Sequence, residues 1–141
     1  MTHEHLLSDA KKEGISRLVV GGVVSDGMKI LLLRRKQDDF MGGILEIPSG
    51  KVEEGETLSS ALTREVKEET GLDISSIGRY LGHFDYLSKS GRKTRQFNFM
   101  VEVKRPFNVV LTEHDEYKWL TPDEAKEKVT GELKGIISLV S

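Results

Sequence analysis

Three glutamates, Glu65, Glu68 and Glu69, lie within residues 57–70, a segment whose pattern predicts a helix. Because their spacing is i, i+3 and i+4, the three carboxylates share one face of that helix. Like charges this close repel each other, so the arrangement does not stabilise the helix by itself. Carboxylate oxygens suit hard divalent cations, and the spacing therefore predicts a site for Mg²⁺ or Mn²⁺.

The residues around this face extend the prediction. Arg64 precedes Glu68 by one helical turn, so it can pair with Glu68 or orient a neighbouring carboxylate. Glu56 lies just before the helix, in the positive field of its N-terminus. Gly50 closes a tight turn, where the lack of a Cβ lets a backbone carbonyl approach a bound ion. Mg²⁺ is normally shared with substrate phosphates, so the group indicates chemistry at a phosphoanhydride, with a carboxylate that positions or deprotonates water.

An ordinary solvated face is the alternative interpretation of these acids, with Lys51 and Lys67 as surface partners. The wider segment decides between the two, because residues 50–72 read GKVEEGETLSSALTREVKEETGL. This segment matches every fixed position of the Nudix box, and the chain therefore resembles the Nudix hydrolase family, in its MutT-like form. The matching residues are Gly50, Glu56, Arg64, Glu65, Val66, Glu68, Glu69, Gly71 and Leu72.

The resemblance implies both a fold and a reaction. The fold would be α/β (α+β), a Nudix-type α/β/α sandwich with a mixed central β-sheet. The reaction would be the Mg²⁺- or Mn²⁺-dependent hydrolysis of the pyrophosphate linkage in a nucleoside diphosphate linked to another group, X. The short chain favours a nucleoside triphosphate or a related small nucleotide. ADP-ribose or nucleotide-sugar hydrolysis is one alternative, and a non-catalytic nucleotide-sensing module is another.

The resemblance also assigns roles to the residues of the box. Glu68 and Glu69 match the principal metal ligands. Glu65 matches a position that is a metal ligand in some members and the catalytic base in others, and Arg64 matches the residue that orients the catalytic glutamate. The remaining positions are structural or complete the metal shell: Glu56 in an outer shell, Gly71 at the end of the helix, and the backbone carbonyl of Gly50 or of Ser49 as a ligand.

Residues outside the box supply further candidates, each with a simpler alternative. Glu113 and Glu116 are candidates for an extra metal ligand or base, although an exposed acidic turn explains them equally well. His114 can donate to phosphate, and Arg34 and Arg35 end a strand near the expected phosphate site. Three aromatic residues could stack on a base or belong to the core, namely Phe40, Tyr86 and Trp119.

Elements that must position these residues are predicted from apolar alternation and turn signals. Strands are predicted at residues 17–25, 28–34, 44–47, 80–87, 94–104 and 117–120, and helices at 57–70, from Thr121 onwards, and at 132–140. Asp26 and Gly27 predict a hairpin turn. Residues 1–14 are expected to form an arm or a short helix, and residues 15–141 a single domain.

Composition limits the partners. The chain has 141 residues, a formal net charge of −2 and no cysteine. It therefore lacks the basic field that nucleic acids require and cannot form disulfides or thiolate sites. No apolar run approaches the length of a membrane span, and the polar N-terminus has no signal-peptide core. We expect a cytoplasmic enzyme with a small nucleotide as its partner, no nucleic acid, no membrane, and an oligomeric state compatible with a homodimer.

Overall fold

A seven-stranded mixed sheet with helices on both faces forms the fold, as seen in a computed structural model that describes residues 3–39 and 41–140. The elements in chain order are α1 (Glu4–Lys12), β1 (Arg17–Ser25), β2 (Ile30–Arg35), β3 (Leu45–Glu46), β4 (Ser49–Lys51), α2 (Leu58–Thr70), β5 (Ile74–Leu87), β6 (Lys93–Val103), β7 (His114–Leu120), α3 (Pro122–Lys128) and α4 (Glu132–Ile137). The predicted α/β class and mixed sheet are confirmed.

The sheet combines one long parallel pair with antiparallel neighbours. Its main path is β3-β2-β1-β6-β5, while β4 pairs with β1 and β7 pairs with β2. Strands β1 and β6 run parallel from Arg17 opposite Thr94 to Ser25 opposite Glu102. The predicted turn at Asp26 is present, since the Oδ1 of Asp26 accepts from the backbone N–H groups of Met28 and Lys29. The two strands that this turn connects pair only at Ser25 and Ile30. Strand β1 also pairs with β4 and, along its whole length, with β6, and it therefore lies at the centre of the sheet.

Two apolar layers, one on each face, hold the helices against the sheet. Alternate residues of β1 point to opposite faces, so Val20 and Val24 pack in the layer with α1 and α2. Val23 packs in the opposite layer, with α3 and α4. Three apolar residues of α2 that recur every four positions, Leu58, Leu62 and Val66, are buried in the first layer. The apolar face of α2 thus packs on the sheet, and the acidic face of the helix lies at the edge of this contact.

Both ends of α2 are fixed by local chemistry. Thr57 is the N-cap, and its hydroxyl accepts from the N–H of Ser60 at 3.1 Å. The Ser60 hydroxyl in turn accepts from the N–H of Thr57 at 3.0 Å, so the two residues form a capping box. Gly71 ends the helix with a φ of +76°, a left-handed conformation that favours glycine. The register of the acidic face is therefore set from both ends.

The segment before α2 and the start of β5 differ from the prediction. Residues 44–50 form two short strands, not one strand that stops at Pro48, because β3 pairs with β2 while β4 pairs with β1. Pro48 has no N–H, but its carbonyl accepts from Gly22 at 2.9 Å between the two pairings. Strand β5 begins at Ile74, earlier than predicted, because register irregularities break the alternation at its start.

The N-terminal residues 4–12 form a helix, which buries Leu6 and Ala10 against the first layer. Among residues 3–39 and 41–140, no helix is both long and apolar enough to cross a membrane.

Candidate active site

The acidic face of α2 forms one wall of an open cleft of about 490 Å³ beside β4. We call it the acidic cleft; the acids that line it include Glu46, Glu53, Glu65, Glu68, Glu69 and Glu113. The three α2 carboxylates differ in environment. The side chain of Glu68 is 57% exposed and that of Glu65 is 12% exposed, whereas Glu69 is buried. The i, i+3, i+4 spacing therefore brings together the three acids that the sequence predicted, at three depths.

Arg64 holds the outer carboxylates in place. Its Nη1 donates to Glu65 at 2.7 Å and to Glu68 at 3.2 Å. Its Nε and Nη2 each donate to a Glu56 oxygen at 2.8 Å, and Nη2 also reaches the carbonyl of Lys51 at 2.9 Å. The hydrogen bonds from Arg64 lower the pKa of Glu56 to about 2. The arginine therefore connects the loop before α2, the strand β4 and two carboxylates of the helix.

Gly50 is needed for a reason that the sequence did not suggest. A Cβ at this position would overlap the carboxyl group of Glu65. The Glu65 side chain occupies the space that glycine leaves, and the approach of an ion to the Gly50 carbonyl stays a prediction. Glycine in β4 thus lets a carboxylate lie directly against the strand backbone.

Glu69 is the buried member of the set. Its Oε1 accepts from the backbone N–H of Ser49 at 2.9 Å. Burial raises the pKa of Glu69 to about 9, and the negative charges of Glu46, Glu65 and Glu113 act in the same direction. Burial also raises the pKa of Glu65, against the opposing effect of Arg64. A cation at this position would remove the penalty for ionising these two carboxyl groups.

The two acids predicted from outside the box, Glu113 and Glu116, have different positions. Glu113 lines the acidic cleft, and its charge acts on both Glu65 and Glu69. Glu116 lies opposite Arg34 in the pairing of β2 with β7 and forms an ion pair with it. The Nη1 of Arg34 also donates to the carbonyl of Gly43 at 2.6 Å. Neither Arg34 nor Glu116 lines the cleft, so the structure does not place them at the predicted metal and phosphate site.

Arg35 lies in the cleft within a second polar group. It donates to Asp39 at 3.1 Å and to Glu46 at 3.3 Å. His114 is buried, with its Nε2 2.8 Å from the other oxygen of Glu46. Its Nε2 is therefore engaged with Glu46, and donation from His114 to phosphate stays a prediction. Glu46 was missed in the sequence, although a charged residue between the apolar residues Leu45 and Ile47, both of which are buried, could have marked it as a candidate.

A second cavity of about 510 Å³ opens beside the acidic cleft. We call it the apolar cavity; the apolar side chains that line it are Met41, Ile44, Leu45, Ile47, Phe84, Tyr86, Leu87 and Leu133. Arg17, Arg35 and Tyr86 line both spaces, which therefore adjoin. Tyr86 thus lies where the two spaces meet, and its contact with substrate stays a prediction. Phe40 lies outside the described residues, and Trp119 packs on Phe107 with ring centroids 5.8 Å apart.

The segment that carries Glu113 is attached to the end of α2. The hydroxyl of Thr112 donates to the carbonyl of Glu68 at 3.0 Å, and the N–H of Val110 donates to the carbonyl of Thr70 at 2.8 Å. These bonds satisfy carbonyls that the helix leaves free at its C-terminus. Glu113 is therefore held at a fixed position relative to the acidic face.

The donor set of the cleft suits a divalent cation. The carboxylates of Glu65, Glu68 and Glu69 and nearby backbone carbonyls offer only oxygen, the ligand that Mg²⁺ and Mn²⁺ prefer. Within the described residues no three acidic or histidine side chains already surround a point at ligand distance. Glu65 and Glu68 form ion pairs with Arg64, so binding of a cation would require rotation of these two side chains away from the guanidinium.

Comparisons with known proteins agree with this architecture. A sequence model of the NUDIX domain matches residues 15–139. A dihydroneopterin triphosphate diphosphatase from Escherichia coli K12 is 34% identical over 125 residues, which cover 77% of this chain and 79% of that protein. An ADP-ribose pyrophosphatase from Methanocaldococcus jannaschii is 47% identical over 65 residues, which cover 46% of this chain and only 37% of the length of that relative.

Among solved structures, the MutT protein from Methanosarcina mazei Go1 superposes with a TM-score of 0.76 at 25% identity. The alignment covers 90% of this chain and 94% of that structure. The fold and the acidic helix together are those of the MutT-like class. The chain belongs to the NUDIX domain family.

Proposed function

We propose that this Nudix hydrolase uses Mg²⁺ or Mn²⁺ to cut the pyrophosphate linkage of a nucleoside diphosphate linked to a further group. The observation that carries the proposal is the junction of two spaces: an acidic cleft with three α2 carboxylates, and an apolar cavity of about 510 Å³ beside it. Phosphates and a cation suit the first space, and a nucleoside suits the second.

The ligands of the cation would be Glu65, Glu68 and Glu69, with the carbonyl of Gly50 or Ser49 completing the shell. Glu113 fits as an additional ligand, because its charge already acts on Glu65 and Glu69. When bound, the cation supplies neutralisation of the phosphate oxygens and activation of water.

The chain's own residues supply the positioning. Arg64 orients Glu65, which the space above Gly50 keeps against β4. Glu65 is one candidate for the base that takes a proton from the attacking water, and Glu113 is the other. Because Glu116 is paired with Arg34, it is not a candidate for the base.

The substrate we propose is a nucleoside triphosphate or a related small nucleotide. One relative is named as a diphosphatase of dihydroneopterin triphosphate, which favours a triphosphate substrate. ADP-ribose is the second candidate, favoured by the name of the archaeal relative that is 47% identical over the matched segment.

The test is turnover of a nucleotide panel with Mg²⁺, Mn²⁺ or a chelator, scored for release of phosphate, pyrophosphate or a nucleoside monophosphate. The panel contains nucleoside triphosphates, ADP-ribose and nucleotide sugars. We expect metal-dependent cleavage, abolished by Glu68→Gln. Glu127→Gln is the matched control, because it removes the same charge from an exposed position of α3. Turnover in chelator, or full activity of Glu68→Gln, would exclude the proposed site.

A further inference from the structure

Arg17 differs from the other arginines of the acidic cleft. Three guanidinium groups line this cleft, those of Arg17, Arg35 and Arg64. Arg35 and Arg64 each form ion pairs with carboxylates. Arg17 forms none with any described residue, and its hydrogen bond is from Nη1 to the hydroxyl of Tyr86 at 3.5 Å. A half-buried cation among so many acids is therefore left available.

The sheet register explains why Arg17 and Tyr86 meet. In the pairing of β1 with β6, Arg17 lies opposite Thr94, and in the pairing of β5 with β6, Tyr86 also lies opposite Thr94. The three residues form one row across three strands, and residues in such a row project from the same face of the sheet. The Tyr86 side chain reaches across the buried Thr94 to the guanidinium of Arg17.

The next row on the same face of the sheet, two residues along, places this pair at the junction of the two spaces. Val19, Gln96 and Phe84 are opposite one another in the same pairings. Val19 lines the acidic cleft, whereas Gln96 and Phe84 line the apolar cavity. Arg17 and Tyr86 line both spaces. A nucleotide with its phosphates in the cleft and its nucleoside in the cavity would pass directly over them.

We propose that Arg17, held by the hydroxyl of Tyr86, binds a phosphate of the substrate at the point where the nucleotide passes from the acidic cleft into the apolar cavity. This inference rests on the proposed function, since it assumes that the two spaces hold one ligand. The planar guanidinium fork suits phosphate oxygens, and Tyr86 leaves Nε and Nη2 free for them. Arg17 is a binding residue here, and Tyr86 is a positioning residue that acts through it.

Removal of the guanidinium tests whether Arg17 binds a substrate phosphate. Because a phosphate contact of this kind is made equally in the ground state and the transition state, Arg17→Gln should raise KM by about tenfold and leave kcat within about twofold. The same change should make KM less dependent on salt. Lys104→Gln is the control, because it removes one charge from an exposed position outside both spaces. Unchanged KM in Arg17→Gln, or an equal rise in the control, would overturn the inference.

Arg17→Lys keeps the charge and removes the fork, so an intermediate KM is expected. This variant also covers the case in which Arg17→Gln loses stability, which thermal melting would reveal. A KM in Arg17→Lys above the wild-type value supports the need for the fork, and a wild-type KM in Arg17→Lys contradicts it.

Tyr86→Phe tests the positioning role, since it keeps the ring and removes the hydroxyl. We expect KM to rise by about two- to threefold, and the double variant with Arg17→Gln to match Arg17→Gln alone. Additive effects of the two substitutions would show that Tyr86 does not act through Arg17.

Equilibrium binding separates this inference from the proposed function. A methylene-bridged nucleoside triphosphate, measured with Mg²⁺ by calorimetry, should bind Arg17→Gln about tenfold more weakly than wild type. If wild type cleaves nothing in the panel, the proposed function fails, while this comparison still reports on Arg17. If wild type is active and both KM and Kd are unchanged in Arg17→Gln, only the inference about Arg17 fails.

Discussion

Two arginines, Arg64 and Arg95, each connect distant parts of the chain through carboxylates, yet the two networks are built differently. In the Arg95 network, the guanidinium on β6 bonds to Asp85 at 2.7 and 2.8 Å and to Glu13 at 2.9 Å. This arginine is only 4% exposed and joins β5, β6 and the end of α1. In the Arg64 network, an arginine whose side chain is 30% exposed forms ion pairs with Glu56, Glu65 and Glu68.

The difference lies in the balance of charge. In the Arg95 network, hydrogen bonds from Arg95 lower the pKa of both Asp85 and Glu13, so both acids are satisfied by one cation. In the Arg64 network, hydrogen bonds from Arg64 lower the pKa of Glu56, whereas burial raises the pKa of Glu65 and raises that of nearby Glu69 to about 9. A structural ion-pair network is complete within the chain. An excess of buried acid over cation marks a place where an external cation would stabilise the protein.

The largest effect is expected from Gly50→Ala, which would push the Glu65 carboxyl away from β4. Displacement of a catalytic group by about 1 Å costs on the order of 100-fold, so we expect kcat to fall by about that factor or more. The measurement is single-turnover cleavage of the best substrate from the panel. Gly27→Ala is the control, because its Cβ would meet nothing, although its φ of +109° adds local strain. A Gly50→Ala enzyme with normal kcat would refute the close packing of Glu65.

Arg64→Ala should also act on turnover more than on folding. Residues that orient ligands typically change activity by about 10- to 100-fold, and we expect kcat/KM to fall within that range. The free energy of unfolding should fall by less than about 1 kcal/mol, because the network is half-exposed. Urea unfolding and steady-state kinetics on the same preparation would check both values. A loss of stability with unchanged kcat/KM would place Arg64 with Arg95 as a structural residue.

Arg95→Met should give the reverse result. Removal of the partner leaves Asp85 and Glu13 without a cation, and breaking a buried pair is costly; because these acids are half-exposed, we expect about 2 kcal/mol of lost stability. Activity per folded molecule should remain within about twofold, since Arg95 lines neither the acidic cleft nor the apolar cavity. Unfolding in urea and kcat at low temperature would measure the two quantities. A variant as stable as wild type would refute the structural role.

The effects of pH on stability have opposite signs in the two regions. In chelator, the unfolded state ionises Glu69 above its ordinary pKa of 4.5, whereas the folded state retains the proton up to about 9. Stability should therefore fall as pH rises between these values. Urea unfolding of wild type and Glu69→Gln should show a flatter dependence in the variant, and added Mg²⁺ should reduce the wild-type loss. An identical slope in both proteins would contradict the burial of this carboxyl group.

At the acid end, the Arg95 network gives the other sign. The folded pKa of Asp85 lies below its ordinary value of 3.8, so its contribution is present above that value and is lost as pH falls through the folded pKa. The difference in stability between wild type and Arg95→Met should therefore shrink on acidification below about pH 4. A difference that stayed constant would show that Arg95 stabilises the fold by packing alone.

The acidic face could be predicted because it depends on residue spacing within a single helix. The spacing of Glu65, Glu68 and Glu69 depends only on helix geometry, and Gly71 ends that helix as expected. The sheet class was also readable, since apolar alternation marks most strands. The paired short strands around Pro48 were not, because each pairs with a different distant neighbour.

The parts of the site that depend on register could not be read from the chain. Glu113 lines the cleft and Glu116 does not, a choice set by the pairing of β7 with β2 and its irregularity beside Arg34. Arg17 reaches Tyr86 only because both lie opposite Thr94 in different strand pairs. Such neighbours share no short-range spacing, so no sequence pattern indicates them.

The attachment of residues 110–112 to the end of α2 has a consequence for how this scaffold tolerates change. Thr112 bonds to a carbonyl 44 residues earlier, and so fixes the distance between the helix and Glu113 regardless of the path between them. Arg105 and Pro106 are exposed and precede the packed Phe107, so an insertion between them would leave the anchor and the acid in place. This segment is a natural graft site, where a new specificity loop could be inserted while the catalytic geometry is conserved.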